Sequence, residues 1–163
     1  MANVQPIPPG HENLIPHLVC DGAAKAIEFY SKAFGAEEIH RMPGPDGRIM
    51  HAAMKLGTSI FFLNDDFPEY CGGQKSSPLG LKGTPVTIHR YVPSVDAAIK
   101  KAVEAGAAVV MPAADMFWGD RYGIVSDPFG HKWSLATHIK DMTSAEMQEA
   151  VIKACSEAPQ QHP

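Results

Sequence analysis

Residues 86–106 read VTIHRYVPSVDAAIKKAVEAG. Val86 to Val92 is short, apolar and β-branched, and predicts a strand. From Val95 to Ala105 the residues Val95, Ala98, Ile99, Ala102 and Val103 recur at three- and four-residue steps. That spacing predicts a helix, and Gly106 ends it. Downstream, Ala107 to Met111 reads as a short strand before Pro112. Tyr122 to Ser126 and Lys132 to Thr137 read as two more strands around the turn Asp127-Pro128-Phe129-Gly130. The unit is strand, helix, strand, strand, strand.

The same order occupies the upstream half. Leu14 to Val19 reads as a strand, and Ala23 to Phe34 as a helix with Ala23, Ala26, Ile27, Tyr30 and Phe34 inward. Gly35 sits where a C-cap glycine belongs. Glu37 to Arg41 is a strand candidate, Pro43 to Gly47 is turn chemistry, and Arg48 to Lys55 and Thr58 to Asn64 are strands around Leu56-Gly57. His17 to Ile27 spans ten residues, as does His89 to Ile99. Gly35 to Gly57 spans 22 and Gly106 to Gly130 spans 24, so the repeat matches by element and slips by a residue or two within them.

The fold class expected is therefore α+β, with two tandem βαβββ modules at 14–66 and 86–140. Residues 1–13 are a Pro-rich extended lead-in. Residues 67–85, with Gly72-Gly73, Ser76-Ser77-Pro78 and Gly80, have no periodic apolar face and read as a linker loop. Thr143-Ser144-Ala145-Glu146 is a capping box. It opens a C-terminal helix within 141–163 that has Met147, Val151 and Ala154 on one face, with fraying from Pro159. Asp65-Asp66 reads as a solvated strand end.

A net charge of −4 argues against sequence-independent nucleic-acid binding, which needs a concentrated basic face. No apolar run approaches the ~20 residues that span a bilayer, and the amino end lacks the pattern of a secretion signal. Three cysteines at unrelated spacings (Cys20, Cys71, Cys155) fit reduced thiols and a cytoplasmic protein. No Gly-rich phosphate loop, HExxH, paired CxxC or GxSxG elbow occurs.

Two βαβββ units, with Asp127-Pro128-Phe129-Gly130-His131-Lys132-Trp133 before the last strand, resemble the vicinal oxygen chelate superfamily, which includes glyoxalase I, extradiol dioxygenases and bleomycin-resistance proteins. The nearer likeness is to its PhnB-like branch. It is carried by Pro16-His17-Leu18-Val19, Ile27-Glu28-Phe29-Tyr30, Ala33-Phe34-Gly35-Ala36-Glu37, Met50-His51-Ala52 and Gly119-Asp120-Arg121-Tyr122-Gly123. The resemblance implies paired modules curled around a cavity and a homodimer. In metal-dependent members a divalent ion is held by His or Gln on the first strand of each half and by a carboxylate on the last strand of each half. That ion acts as a Lewis acid on the substrate's two oxygens.

In that pattern the carboxylate lies four residues past the glycine opening the last strand. Those positions here are Phe61 and Ser134, and neither is a carboxylate. The matching first-strand positions fall near Leu14 or Ile15 and at Thr87, with His89 on the face of Thr87 and His17 as its repeat mate. His17, His51 and His89 are the candidates for a rearranged site holding Zn, Ni or Mn. If Ser134 faces a cavity, alternation adds Lys132, Ala136 and His138, with Thr87, His89 and Tyr91 beside them and Ser59, Phe61 and Leu63 from the first half. Trp118 is placed to stack on a planar ligand and Arg121 to pair with an anionic group. Asp127 and His131 read as structural.

Two functions fit. One is a metal-free protein that binds a small organic molecule in a cavity between the modules, lined by His17, Phe61, Thr87, His89, Tyr91, Trp118, Arg121 and Ser134. The other is a divalent-metal-dependent glyoxalase-like lyase or isomerase. In that case His89 or Lys132 moves the proton.

Overall fold

The computed structural model describes residues 5–11 and 14–157. Residues 1–4 and 12–13 of the expected lead-in, and the expected fraying from Pro159, lie outside the described residues.

The elements follow the repeat: β1 (His17–Cys20), α1 (Ala23–Phe34), β2 (Glu37–Pro43), β3 (Ile49–Leu56) and β4 (Ser59–Asp65). After the connection, α2 (Pro78–Leu81) precedes β5 (Thr87–Tyr91), α3 (Val95–Glu104), β6 (Ala108–Asp115), β7 (Asp120–Ser126), β8 (Lys132–His138) and α4 (Ser144–Glu157). The first module forms a four-stranded sheet of order β1-β4-β3-β2, and the second repeats it as β5-β8-β7-β6. In each, the first strand runs parallel to the last and the other pairs are antiparallel. The architecture is α+β, and its two mixed sheets are separate, with no β1–β5 ladder among the described residues.

Local chemistry explains where elements differ from expectation. The first strand starts at His17 rather than Leu14, because Pro16 has no N–H to give a ladder. β6 runs through Pro112, since it is an edge strand whose register shifts between Met111 and Ala114. Residues 67–85 are not wholly loop: Pro68–Tyr70 is a 3-10 turn, and Ser77 Oγ accepts from Gly80 N (3.3 Å) to start α2. Gly35, at φ 71°, closes α1 by donating its N–H to Ser31 O (3.1 Å). The capping box of α4 forms as expected, Thr143 N donating to Glu146 Oε2 (2.7 Å) and Glu146 N to Thr143 Oγ1 (3.3 Å).

α1 packs on the first sheet, α3 on the second, and the two helices on each other. One face of each sheet is thereby buried. In the first it carries Leu18, Cys20, Ala52, Met54, Phe61 and Leu63; in the second, Val125, Trp133 and Leu135. The halves share one core, in which Trp133 meets Phe34 (ring centroids 4.5 Å), Tyr30 (5.5 Å) and Phe61 (6.1 Å).

At its centre Asp127 accepts four hydrogen bonds. Oδ2 takes Tyr30 OH (2.8 Å) and Trp133 Nε1 (3.0 Å), and Oδ1 takes Phe129 N and His131 N (both 2.9 Å). Asp65 is likewise buried rather than solvated. Oδ1 accepts from Gly22 N (3.0 Å) and Ala23 N (2.8 Å), and Oδ2 from Ile49 N (2.6 Å).

Candidate functional site

The faces away from the helices carry most of the residues that sequence reasoning singled out. In the second module Thr87, His89 and Tyr91 pair with Lys132, Ser134 and Ala136, so all six share one face. His89 Nδ1 and Ser134 Oγ are hydrogen-bonded at 2.8 Å. The His89 imidazole meets Tyr91 edge-on (4.9 Å between ring centroids) and lies parallel to Tyr122 (6.1 Å). Trp118 stands against Tyr122 at 5.7 Å. Lys132 lies two residues from Ser134 on this face and forms no ion pair among the described residues.

Asp120 anchors the far end. It is buried, and its Oδ2 accepts from Tyr91 OH (2.9 Å) and Trp118 Nε1 (3.2 Å), while Oδ1 pairs with His138 Nδ1 (2.9 Å). Burial pulls the carboxyl upward, but hydrogen bonds from His138 and Tyr91, the His138 charge and the Trp118 hydrogen bond hold its pKa below the ordinary value. His138 Nε2 pairs with Asp141 (3.0 Å), and these bonds to Asp141 and Asp120 raise the His138 pKa.

In the first module His17 pairs with Phe62 across β1 and β4. His51 meets His17 (5.8 Å), His40 (5.4 Å) and Phe62 (4.7 Å), and His11 covers Phe62 from the lead-in (5.9 Å). Burial, then the charges of His17 and His40, lower the His51 pKa.

The two histidines therefore titrate on opposite sides of the usual ~6.5, His51 below it and His138 above. A carbon–proton correlation titration by nuclear magnetic resonance resolves them. Both His138 bonds together need the protonated ring, so the pair is complete below the ordinary value and one of the two is lost as pH rises through the elevated one. Asp120→Asn should move His138 back toward the ordinary value and leave His51 unchanged; an unmoved His138 would mean the Asp120 contact is absent in solution.

The structure corrects the face expected of Phe61, though Phe61 does line the cleft between the modules, and the surroundings expected of Arg121. Thr87, Tyr91, Trp118 and Ser134 stand on or beside the far face and do not line that cleft. Phe61 lies on the helix-facing side among Tyr30 and Trp133, and Phe62 is the register mate of Ser134. The hairpin around Gly57 turns in two residues, Leu56 pairing with Ser59, whereas that around Gly130 takes five, Ser126 pairing with Lys132. Each glycine nevertheless stands two residues before the residue that closes its hairpin. The ladder runs three rungs from Phe62 to Ser59 but two from Ser134 to Lys132, so equal counts from the glycines land on opposite faces. The Arg121 guanidinium is taken up by carboxylates of the chain itself. Its Nε and Nη2 bond Asp96 on α3 (2.7 and 2.8 Å) and its Nη1 bonds Asp115 (2.8 Å), tying helix to sheet.

His17 and His89 thus occupy matching first-strand positions, opposite Phe62 and Ser134. Among the described residues no carboxylate pairs with either histidine, and the Ser134 hydroxyl already engages His89. Among the described residues, no group of three His, Cys, Asp or Glu side chains is placed to hold a metal ion. These residues do not fit the two-histidine, two-carboxylate ion of metal-dependent relatives.

Between the edges of β1 and β5 runs a cleft that both modules build. One part, about 220 Å³, is lined by Leu14, Ile60 and Phe61 from the first module and by Ile88, Arg90 and Trp133 from the second, with His89 at its rim. The other, about 400 Å³, continues past Pro16 and Ile88 to His17, Val86 and His131. Sequence reasoning missed Arg90. The signal was available: alternation that turns His89 outward turns Arg90 toward the core, where a guanidinium is unusual.

Cys20 carries no chemistry. It is fully buried, 3.8 Å from His131 Nε2, and burial and then the Asp127 charge push its thiol up to about 12, which leaves it protonated and unreactive. No helix among the described residues is long and apolar enough to cross a membrane.

Comparison with known proteins agrees with this geometry. The chain is 52% identical over 138 residues to an uncharacterized protein of Mycobacterium bovis, covering 85% of this chain and 91% of that one. The crystal structure of an Arabidopsis thaliana gene product is similar at 29% identity and a TM-score of 0.62, covering 76% of this chain and 97% of that one. A PhnB protein of Bacillus cereus shares the fold at 17% identity and a TM-score of 0.58, with 77% and 99% covered. The sequence profile of the Glyoxalase/Bleomycin resistance protein/Dioxygenase superfamily matches residues 14–135, and with the duplicated βαβββ sheets above it follows that the chain belongs to that superfamily.

Proposed function

We propose that this protein binds a small organic molecule in the cleft between its two modules, without the metal site of the superfamily's ion-dependent enzymes. One observation carries the reading. The last-strand positions facing His17 and His89 hold Phe62 and Ser134, while the adjoining cleft is largely apolar with a few polar groups, the usual make-up of a ligand site. In this reading the protein is a cytoplasmic homodimer. A second copy covers the far faces, where Met42 and Tyr91 are more than half exposed, at 57% and 59%.

The test is thermal denaturation with a library of small organic acids, amides and aromatic compounds, before and after exhaustive dialysis against EDTA. A compound present at about a hundred times its Kd should stabilise by about 2.7 kcal/mol. For a chain of this size that is about 5–10 °C in Tm, and it should survive dialysis. Stabilisation that disappears with EDTA would overturn the metal-free reading.

A metal-dependent lyase draws on a different observation, the contact of His51 with both His17 and His40. It requires one tightly bound ion per subunit by elemental analysis, lost in His51→Ala.

A further inference from the structure

Among the described residues Arg90 is the one cation lining this cleft. It pairs with Leu135 across β5 and β8 and so projects toward the helices. Its Nη1 donates to Phe34 O at the C-terminus of α1 (3.1 Å). A guanidinium has five N–H donors, and among the described residues no carboxylate pairs with this one. The other arginines, Arg41, Arg48 and Arg121, each have an acidic partner. Burial alone pulls the Arg90 pKa down, with no opposing contribution from an acid. A half-buried cation without a counter-ion is costly, and an anion brought by a ligand relieves that cost.

We propose that the part of the cleft beside Arg90 binds a small amphipathic carboxylic acid, its carboxylate on the Arg90 guanidinium and its apolar body against Ile60, Phe61, Ile88 and Trp133. The volume of about 220 Å³ is smaller than a drug-sized site and suits a short aliphatic or single-ring acid. The inference rests on the cleft being the ligand site, and it adds the class of ligand. The bond to Phe34 O also gives Arg90 a structural role, joining the modules at a helix C-terminus where a cation is favoured. That role alone predicts no preference for anions.

The experiment titrates the full-length protein with hexanoate, benzoate and phenylacetate, each beside its neutral amide, following binding by calorimetry and by shifts of the Ile88 and Trp133 resonances. At least one acid should bind and shift both residues. Its amide should bind about 10- to 100-fold more weakly, the range for loss of hydrogen bonds to a charged group. Arg90→Gln should weaken the acid by a similar factor and leave the amide unchanged. Arg90→Lys should recover part of the affinity, since Lys keeps the charge without the planar fork.

Because Arg90→Gln also loses the Phe34 contact, the acid-to-amide ratio on the unsubstituted protein is the deciding number. Amides that bind as well as their acids would overturn the carboxylate assignment and leave the cleft reading standing. No binding by any acid would overturn the assignment too, and the library screen would then decide the cleft reading separately. An acid bound without shifts at Ile88 and Trp133 would place it elsewhere and overturn the assignment.

Discussion

Asp127→Ala is expected to remove about 3–5 kcal/mol of folding stability, the cost of breaking a buried, charge-assisted network from one side. The carboxylate accepts from the Tyr30 hydroxyl, the Trp133 indole and the backbone N–H groups of Phe129 and His131. Truncation leaves all four without this acceptor and opens space beside the largest buried side chains, Trp133 and Tyr30. Total stabilities run about 5–15 kcal/mol, so a large share would be lost.

Tyr30 belongs to the first module and Trp133 to the second, so the network also fastens the halves together. Urea denaturation followed by far-ultraviolet circular dichroism gives the number. Asp127→Asn should lose less, because its amide oxygen can keep the two backbone bonds while its NH₂ faces two donors. A loss below about 1 kcal/mol for the alanine variant would show the network to be solvated and the argument wrong.

Sequence reasoning reached the fold through the repeat, because helix and strand periodicities depend on local spacing that a single chain displays. The far face of the second module was legible as well. One strand gave Thr87, His89 and Tyr91, another Lys132 and Ser134, and alternation alone puts them side by side. What failed was anything that depended on the number of paired rungs in a hairpin or on a partner distant in sequence.

Phe61 was taken for Phe62 because the first hairpin carries one more rung between its turn and the position facing His17 than the second carries before the position facing His89. Arg121 sits in a loop-to-strand segment dense in aromatics, which suits ligand binding, but Asp96 waits on α3, 25 residues away. Asp65 looked solvated because its donors, Gly22, Ala23 and Ile49, come from another strand and a helix start. Arg90 was overlooked because the count followed the outward residues of its strand.

These misses change the chemistry expected of the molecule. Moving the first-module position from Phe61 to Phe62 leaves the conclusion about carboxylates intact, since neither phenylalanine ligates an ion. Withdrawing Arg121 removes the anion partner that sequence reasoning had supplied, and Arg90 replaces it from inside the cleft. The polar residues on the far face and Arg90 in the cleft meet at His89, which takes part in both.

Asp65→Ala is the second large effect, an expected loss of about 2–4 kcal/mol. Residue 22, the N-cap of α1, is a glycine with no side chain to cap with. The first N–H groups of α1 are instead served by Asp65 at the end of β4, which also takes Ile49 N from the neighbouring strand. A lost cap costs about 0.5–2 kcal/mol, a further orphaned buried N–H about 1–3, and the negative charge is lost where the helix dipole favours it.

The second module repeats the arrangement more weakly. At the end of β8, Thr137 Oγ1 accepts from Val95 N (2.8 Å), while Ser94 supplies the cap of α3 itself. Thr137→Val should therefore cost only about 0.5–1.5 kcal/mol, and the ratio between the two variants is the test. Equal losses would mean that Asp65 acts as one cap among several rather than as the start of its helix. The larger effect in the first module bears on the cleft, because α1 ends at the Phe34 carbonyl that receives Arg90. Loosening that helix at Asp65 should therefore weaken binding of an acid in the cleft as well as the fold, whereas Thr137→Val should weaken neither by much.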